Sequence, residues 1–286
     1  MASEPSVSAN RNELRTRVIS AAILAPIALV AELLGGLPFA ALVTIVAVAA
    51  FWEWTAITRA DDFAWARALG AACLVAGLLS LQLWSGYLAL ALIAVPAVLA
   101  LAGGLRLRAF LSIGLGLVYV AVPGAALIVL RQAEPLGWAA ILYILLIVWA
   151  TDIAAYFGGR AIGGPKLWPS VSPKKTWSGA LSGLAVAIAA GGATAGLALG
   201  GNVRAGLVLA VPLSVAAQAG DLFESAVKRR FDVKDSGHVI PGHGGVLDRV
   251  DGLFAAAALA WLIALGGLGG DILALPGDGA VVGAAP

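Results

Sequence analysis

Ten consecutive residues, HGGVLDRVDG at 243–252, hold a histidine, two aspartates and an arginine in a chain that is 61% hydrophobic and 12% charged. Asp248 and Asp251 are three apart, so on a helix they share one face. A second acidic group lies in SVAAQAGDLFESAVKRR, where Gln218, Asp221, Ser225 and Lys228 recur at steps of three and four, Ser214 lies a turn earlier and Glu224 stands beside Asp221. A third, Asp152, precedes Tyr156 by four residues at the entry to FGGRAIGG. For any one of the five acids (Asp152, Asp221, Glu224, Asp248 and Asp251) a structural salt-bridge seam is the plainer alternative, but five on three segments, without an equal number of bases at the same depth, call for a cation. Carboxylate and hydroxyl oxygens without thiolates suit a hard ion such as Mg²⁺ rather than zinc or copper. His243, between glycines, is at least as suited to donate to a phosphate or to backbone as to ligate a metal, and His238 carries less signal; neither points to zinc.

The bases sit close by in sequence. GRAIGGPKLWPSVSPKKTWSG holds Arg160, Lys166, Lys174 and Lys175 among glycines, prolines and the hydroxyls Ser170, Ser172, Thr176 and Ser178. A second loop reads KRRFDVKDSGHVIPGHGG and supplies Lys228, Arg229, Arg230 and Lys234. Lysines and arginines beside glycine-rich backbone suit multiply charged phosphates, because glycine lets N–H groups approach closely while the cations neutralise oxyanions. Positive-inside topology and contacts to anionic head groups are the plainer alternative for any one lysine. Acids for a metal and bases for phosphates, on one face of a membrane, read together as phosphoryl or nucleotidyl chemistry.

The elements that must position these residues are membrane helices. A mean hydropathy of +0.96 with so few charges lies outside the soluble range, where about a quarter of residues are charged. Apolar stretches of spanning length predict an all-α, polytopic fold of about nine transmembrane helices, near 18–34, 36–52, 68–85, 87–104, 109–130, 138–157, 178–200, 205–227 and 247–269. The first span, preceded by Arg11, Arg15 and Arg17 and lacking a small-residue cleavage site, reads as uncleaved. With the N-terminus cytoplasmic, alternate loops place 16 of the 18 Lys and Arg residues on that side, leaving only Arg131 and Arg204 opposite. The positive-inside rule therefore selects this topology, with the C-terminus outside. The net charge of +2 is unevenly distributed. The organisation expected is a cytoplasmic segment at 1–17, scaffold helices at 18–135, helices with cytoplasmic catalytic loops at 136–270, and a tail at 271–286. Glu32 and Glu53, near span ends, are expected to reach water, and the tryptophans other than Trp168 and Trp177, which sit in a polar loop, to anchor at the interfaces. Cys73, the single cysteine, excludes an intrachain disulfide and a cysteine-cluster metal site.

SAVKRRFDVKDSGHVIPGHGGVLDRVD, Ser225 to Asp251, resembles the signature of the phosphatidate cytidylyltransferases (CDP-diacylglycerol synthases): Ser-x-x-Lys-Arg, then Lys-Asp, Pro-x-His-Gly-Gly and Asp-Arg-x-Asp. TDIAAYFGGRAIGG, SPKKTWSG and GDLFESAVKR resemble upstream stretches of the same family. The match covers about 100 residues of the C-terminal half; the N-terminal half is similar only in being hydrophobic and multi-spanning. The resemblance implies reaction of CTP with phosphatidic acid to give CDP-diacylglycerol and pyrophosphate in phospholipid synthesis, with Mg²⁺ and often a second, monovalent cation such as K⁺. It implies an integral protein of a bacterial-type inner membrane acting at the cytoplasmic side, with no nucleic acid as partner and a homodimer as an assembly to test.

On that reading Asp221 and Asp248 are the leading metal ligands, with Asp251, Asp152 and Glu224 as further ligands or orienters of bases. Lys174, Lys175, Lys228, Arg229, Lys234 and Arg249, with Ser172, Thr176, His243 and the amides of Gly244 and Gly245, would hold the triphosphate and the lipid phosphate. Catalytic roles fall to Asp221, Asp248, Lys228, Arg249 and His243. Two rivals remain. A cation-coupled transporter would place carboxylates toward the midplane or show inverted repeats. Another membrane nucleotidyl or phosphoryl transferase is closer in kind, although the Asp-Gly-x-x-Ala-Arg pattern of the CDP-alcohol phosphotransferases is absent.

Overall fold

The computed structural model describes residues 22–23, 26–83, 86–104, 108–198, 202–237, 239, 244–269 and 272–273. Arg11, Arg15, Arg17, Arg106, His238, His243 and most of the C-terminal tail lie outside the described residues, and with them what was expected of these positions.

The described chain is a bundle of helices. A helical stretch at 26–34, α1, is followed by α2 (Gly36–Ile57), α3 (Ala64–Leu83), α4 (Gly86–Gly104), α5 (Arg108–Arg131) and α6 (Gly137–Ile162). After a short hairpin of β1 (Lys166–Trp168) and β2 (Ser172–Thr176) come α7 (Trp177–Ala198), α8 (Val203–Arg230) and α9 (Leu247–Leu265). Hydrocarbon offers the backbone no partners, so Ala-, Leu- and Gly-rich stretches close their hydrogen bonds within the helix. Among the described residues six helices, α2, α3, α5, α6, α7 and α8, are long and apolar enough to cross a bilayer. The nine helices among the described residues fall where spans were predicted, and six of them have the length and composition of a crossing. The part of α4 with described side chains, Ala91–Gly103, is shorter, and the 19 residues of α9 begin with Asp248, Arg249 and Asp251.

Two packing groups meet at α9. Helices α2 to α5 pack on one another, α6, α7 and α8 on one another, and α9 lies against α8, α5, α6 and α2. The buried core runs through both groups, from Phe51, Leu74, Leu78 and Leu117 to Tyr143, Ile144, Ile147 and Phe254. Leu197, Val208 and Leu262 are among the many large apolar side chains left on the outside, as lipid-facing positions are. Small residues let the second group approach closely. A Cβ on Gly183 of α7 would lie 2.7 Å from the Thr151 carbonyl oxygen of α6, and one on Gly191 would lie 2.8 Å from that of Gly206 on α8. Tyr143 Oη, fully buried, donates to the same Gly206 carbonyl at 2.6 Å.

The loop after α6 carries the one sheet among the described residues. Gly163 and Gly164, at φ of +69° and +96°, turn the chain out of α6, a backbone region where a Cβ is strained. The strands then pair antiparallel, Lys166 opposite Thr176 and Trp168 opposite Ser172. Thr176 closes the hairpin, its Oγ1 accepting from Gly179 N at 3.1 Å to cap the first turn of α7.

Candidate functional site

The ends of α6, α8 and α9 and the β-hairpin enclose an open cavity of about 900 Å³. Asp152 and Tyr156 reach it from α6, Gln218 and Asp221 from α8, and Asp248, Arg249 and Asp251 from α9. Lys166, Lys174 and Lys175 enter from the hairpin, and Arg160 from the last turn of α6. Four carboxylates and five bases therefore border one space. The helical steps of three and four set this arrangement, because they turn each polar pair toward the same side.

Two of the border acids are paired with lysines. Lys175 Nζ lies 2.5 Å from Asp221 Oδ2, and both side chains are about one-third exposed. A pair so open to water contributes about 0–1 kcal/mol, so an anionic ligand can exchange for it at small cost. Deeper in the protein, Lys228 Nζ lies 2.7 Å from Glu224 Oε2 and 2.5 Å from Asp248 Oδ1. Asp248 also accepts at Oδ2 from the backbone N–H groups of Ser236 and Gly245, each at 3.1 Å. Asp248 is thereby held at both oxygens, whereas Asp221 meets the half-buried Lys175 and accepts a 3.4 Å bond from Ser225 Oγ.

Several expected residues lie elsewhere. Lys228 and Glu224 do not line the cavity; both are buried beneath it as Asp248's neighbours. Arg229 donates to the carbonyls of Val171 at 3.4 Å and Val233 at 3.2 Å, so it ties the hairpin to the end of α8. Lys234 is exposed, Ser172 is half-buried in β2, and neither borders the cavity. The Gly245 amide, expected near phosphate, is directed at Asp248. Gly244 turns the chain there at φ +83°.

The expectation that Glu32 and Glu53 reach water is corrected. Glu32 is buried, its Oε1 3.6 Å from Arg131 Nε, which also donates to the Glu32 carbonyl at 2.8 Å. Glu53 is buried as well, and its carboxylate accepts from the backbone of Val246 at 2.9 Å and Leu247 at 2.8 Å and from Ser236 Oγ at 3.0 Å. Sequence reasoning missed this contact, although the signal existed: a carboxylate inside an apolar helix needs partners within the protein. Trp54, expected at an interface, is also buried; it donates to the Ser112 carbonyl at 3.0 Å and stacks on Phe223.

The donor set can be compared with what a metal requires. Oxygen donors alone suit Mg²⁺, which is commonly held by one or two carboxylates with substrate phosphates and water completing the shell. Among the described residues no three His, Cys, Asp or Glu side chains converge as a cage; Asp221 and Asp248 both border the cavity and offer oxygen donors of the type such an ion takes.

These features define a polytopic membrane protein with an open cavity of mixed charge bordered by α6, α8, α9 and the hairpin. A family model described as the cytidylyltransferase family matches residues 15–265. The phosphatidate cytidylyltransferases of Brucella suis biovar 1 (strain 1330) and Brucella abortus biovar 1 (strain 9-941) are each 44% identical over 253 residues, 88% of this chain and 93% of theirs. That of Bacillus subtilis (strain 168) is 39% identical over 164 residues, 54% of this chain and 58% of its own. The chain belongs to the cytidylyltransferase family, among its phosphatidate cytidylyltransferases.

Proposed function

We propose that this protein transfers the cytidylyl group of CTP to phosphatidic acid, giving CDP-diacylglycerol and pyrophosphate. The observation that carries the reading is the shared border of the cavity: Asp152, Asp221, Asp248 and Asp251 beside Arg160, Lys166, Lys174, Lys175 and Arg249. Its volume of about 900 Å³ lies in the upper part of the 300–1,000 Å³ range of small-molecule sites, room for a nucleoside triphosphate.

The chemistry asks for positioning more than for a base. A phosphate monoester is largely dianionic at neutral pH, so an oxygen of the lipid phosphate attacks the α-phosphorus of CTP directly. The bond from that phosphorus to the bridging oxygen of the β-phosphate breaks, and pyrophosphate leaves. Lysines and arginines on the cavity border hold the triphosphate and the lipid phosphate in line and offset charge gathering on the leaving group. Lys175 would pass from Asp221 to a phosphate oxygen as substrate arrives. Asp221 and Asp248 would hold Mg²⁺, with Asp251, Asp152 and the buried Glu224 supporting them. When bound, the ion supplies charge neutralisation at the phosphates.

The positive-inside bias favours the cavity on the cytoplasmic side, where soluble CTP would meet a lipid phosphate at the membrane face. The test is pyrophosphate release by purified protein in detergent. Release should require CTP, phosphatidate and Mg²⁺ together, and Asp248→Asn should lower it by about 100-fold or more. No release with CTP would refute the reaction, and full activity of Asp248→Asn would refute the role of that carboxylate.

A further inference from the structure

Glu53 is far from Asp248 in sequence and belongs to α2, in the half of the chain expected to be scaffold. Its carboxylate nevertheless ends against the first turn of α9. Oε1 accepts from Val246 N at 2.9 Å, and Oε2 accepts from Leu247 N at 2.8 Å and Ser236 Oγ at 3.0 Å. Ser236 passes the contact on, for its N–H donates to Asp248 Oδ2 at 3.1 Å while its Oγ accepts from Asp248 N at 3.3 Å. One buried carboxylate thus fixes the residues before Asp248 and the hydroxyl that brackets it.

The surrounding chain leaves room for that carboxylate and little else. A Cβ on Gly237 would lie 2.6 Å from Glu53 Oε1, and one on Gly245 would lie 2.5 Å from Glu53 Oε2 and collide with Ser236 Oγ. The negative charge also lies at a helix N-terminus, where the unsatisfied N–H groups favour an anion.

We propose that Glu53 is the positioning residue for Asp248: delivered from α2, its carboxylate locks the first turn of α9 and Ser236 so that Asp248 faces the cavity in a single geometry. This rests on the reading of Asp248 as a ligand of the phosphate-transfer site. Residues that orient metal-binding carboxylates typically change metal affinity or activity by 10–100-fold when replaced. Glu53→Gln is the informative change. It keeps the size but sets an NH₂ group against an N–H donor, because both carboxylate oxygens are accepting.

The experiment measures Mn²⁺ binding to detergent-solubilised protein by electron paramagnetic resonance without substrates, alongside kcat and KM for CTP. Wild type, Glu53→Gln, Asp248→Asn and the double variant are compared well below their inactivation temperatures. Glu53→Gln should weaken Mn²⁺ binding and lower kcat by about 10-fold or more, with KM for CTP within about 3-fold. In the Asp248→Asn background it should add nothing. Wild-type Mn²⁺ binding and kcat in Glu53→Gln, with both lost in Asp248→Asn, would overturn the proposal while leaving the reading of Asp248 intact. Unchanged Asp248→Asn would overturn that reading instead. If Glu53→Gln does not fold, Glu53→Asp, which keeps the charge but draws the carboxylate back from all three donors, takes its place, and wild-type Mn²⁺ binding and kcat there would equally count against the proposal.

Discussion

Lys228 shows how much depends on the pairing of single charges. It is buried between Glu224 and Asp248, whereas Lys175 meets Asp221 where water competes. The two lysines look alike as letters, yet the first is shut between two acids and the second meets its acid partly in water. Removing one partner of a buried pair leaves an uncompensated charge and typically costs about 3–5 kcal/mol. Lys228→Met should therefore destabilise the protein by an amount of that order, seen as a large fall in the midpoint of thermal inactivation in detergent. Adding Glu224→Leu should recover part of the loss, because one of the stranded carboxylates goes with it.

At the scale of elements, the site depends on how closely α6 and α7 approach. Gly183 faces the Thr151 carbonyl, one residue before Asp152, and Thr151 Oγ1 shares a 2.8 Å hydrogen bond with Ser214 of α8. Three helices are thus registered at the level from which Asp152 and Gln218 reach the cavity. Gly183→Leu should push α6 away at an overpacking cost of about 1–3 kcal/mol. Its expected result is a lower inactivation midpoint together with reduced turnover, measured on the same detergent preparation. The hairpin belongs to this scale too: Arg229 ties Val171 to α8, so β1 and β2 carry Lys166, Lys174 and Lys175 as a unit.

For the whole molecule, the charge asymmetry makes a topological prediction. Ser172 lies in the hairpin on the strongly basic side, and Asn202 caps α8 on the other. Cys73 is the single cysteine, so a Cys73→Ser background permits one reporter at a time. A membrane-impermeant maleimide applied to intact cells should label Asn202→Cys and leave Ser172→Cys unlabelled until the membrane is opened. The reverse pattern would put the cavity on the outer face and remove the access to CTP on which the proposed reaction depends.

Composition and periodicity by themselves determined that this is a helical membrane protein, where its helices fall, and which acids share a face, because lipid punishes unpaired backbone and charge in a way that depends on local sequence alone. The blocks around Asp152, Lys174 and Asp248 likewise carried the family. Other matters waited for the tertiary structure. The reach of Glu53 from α2 to α9, the burial of Lys228 between two acids and the pairing of Lys175 with Asp221 join residues distant in sequence. The hairpin escaped notice because a polar loop with glycines and prolines carries no strong period. A lysine near a carboxylate in sequence can bind substrate or hold the frame, and only the depth at which packing leaves it decides which, because water weakens one pair and is excluded from the other.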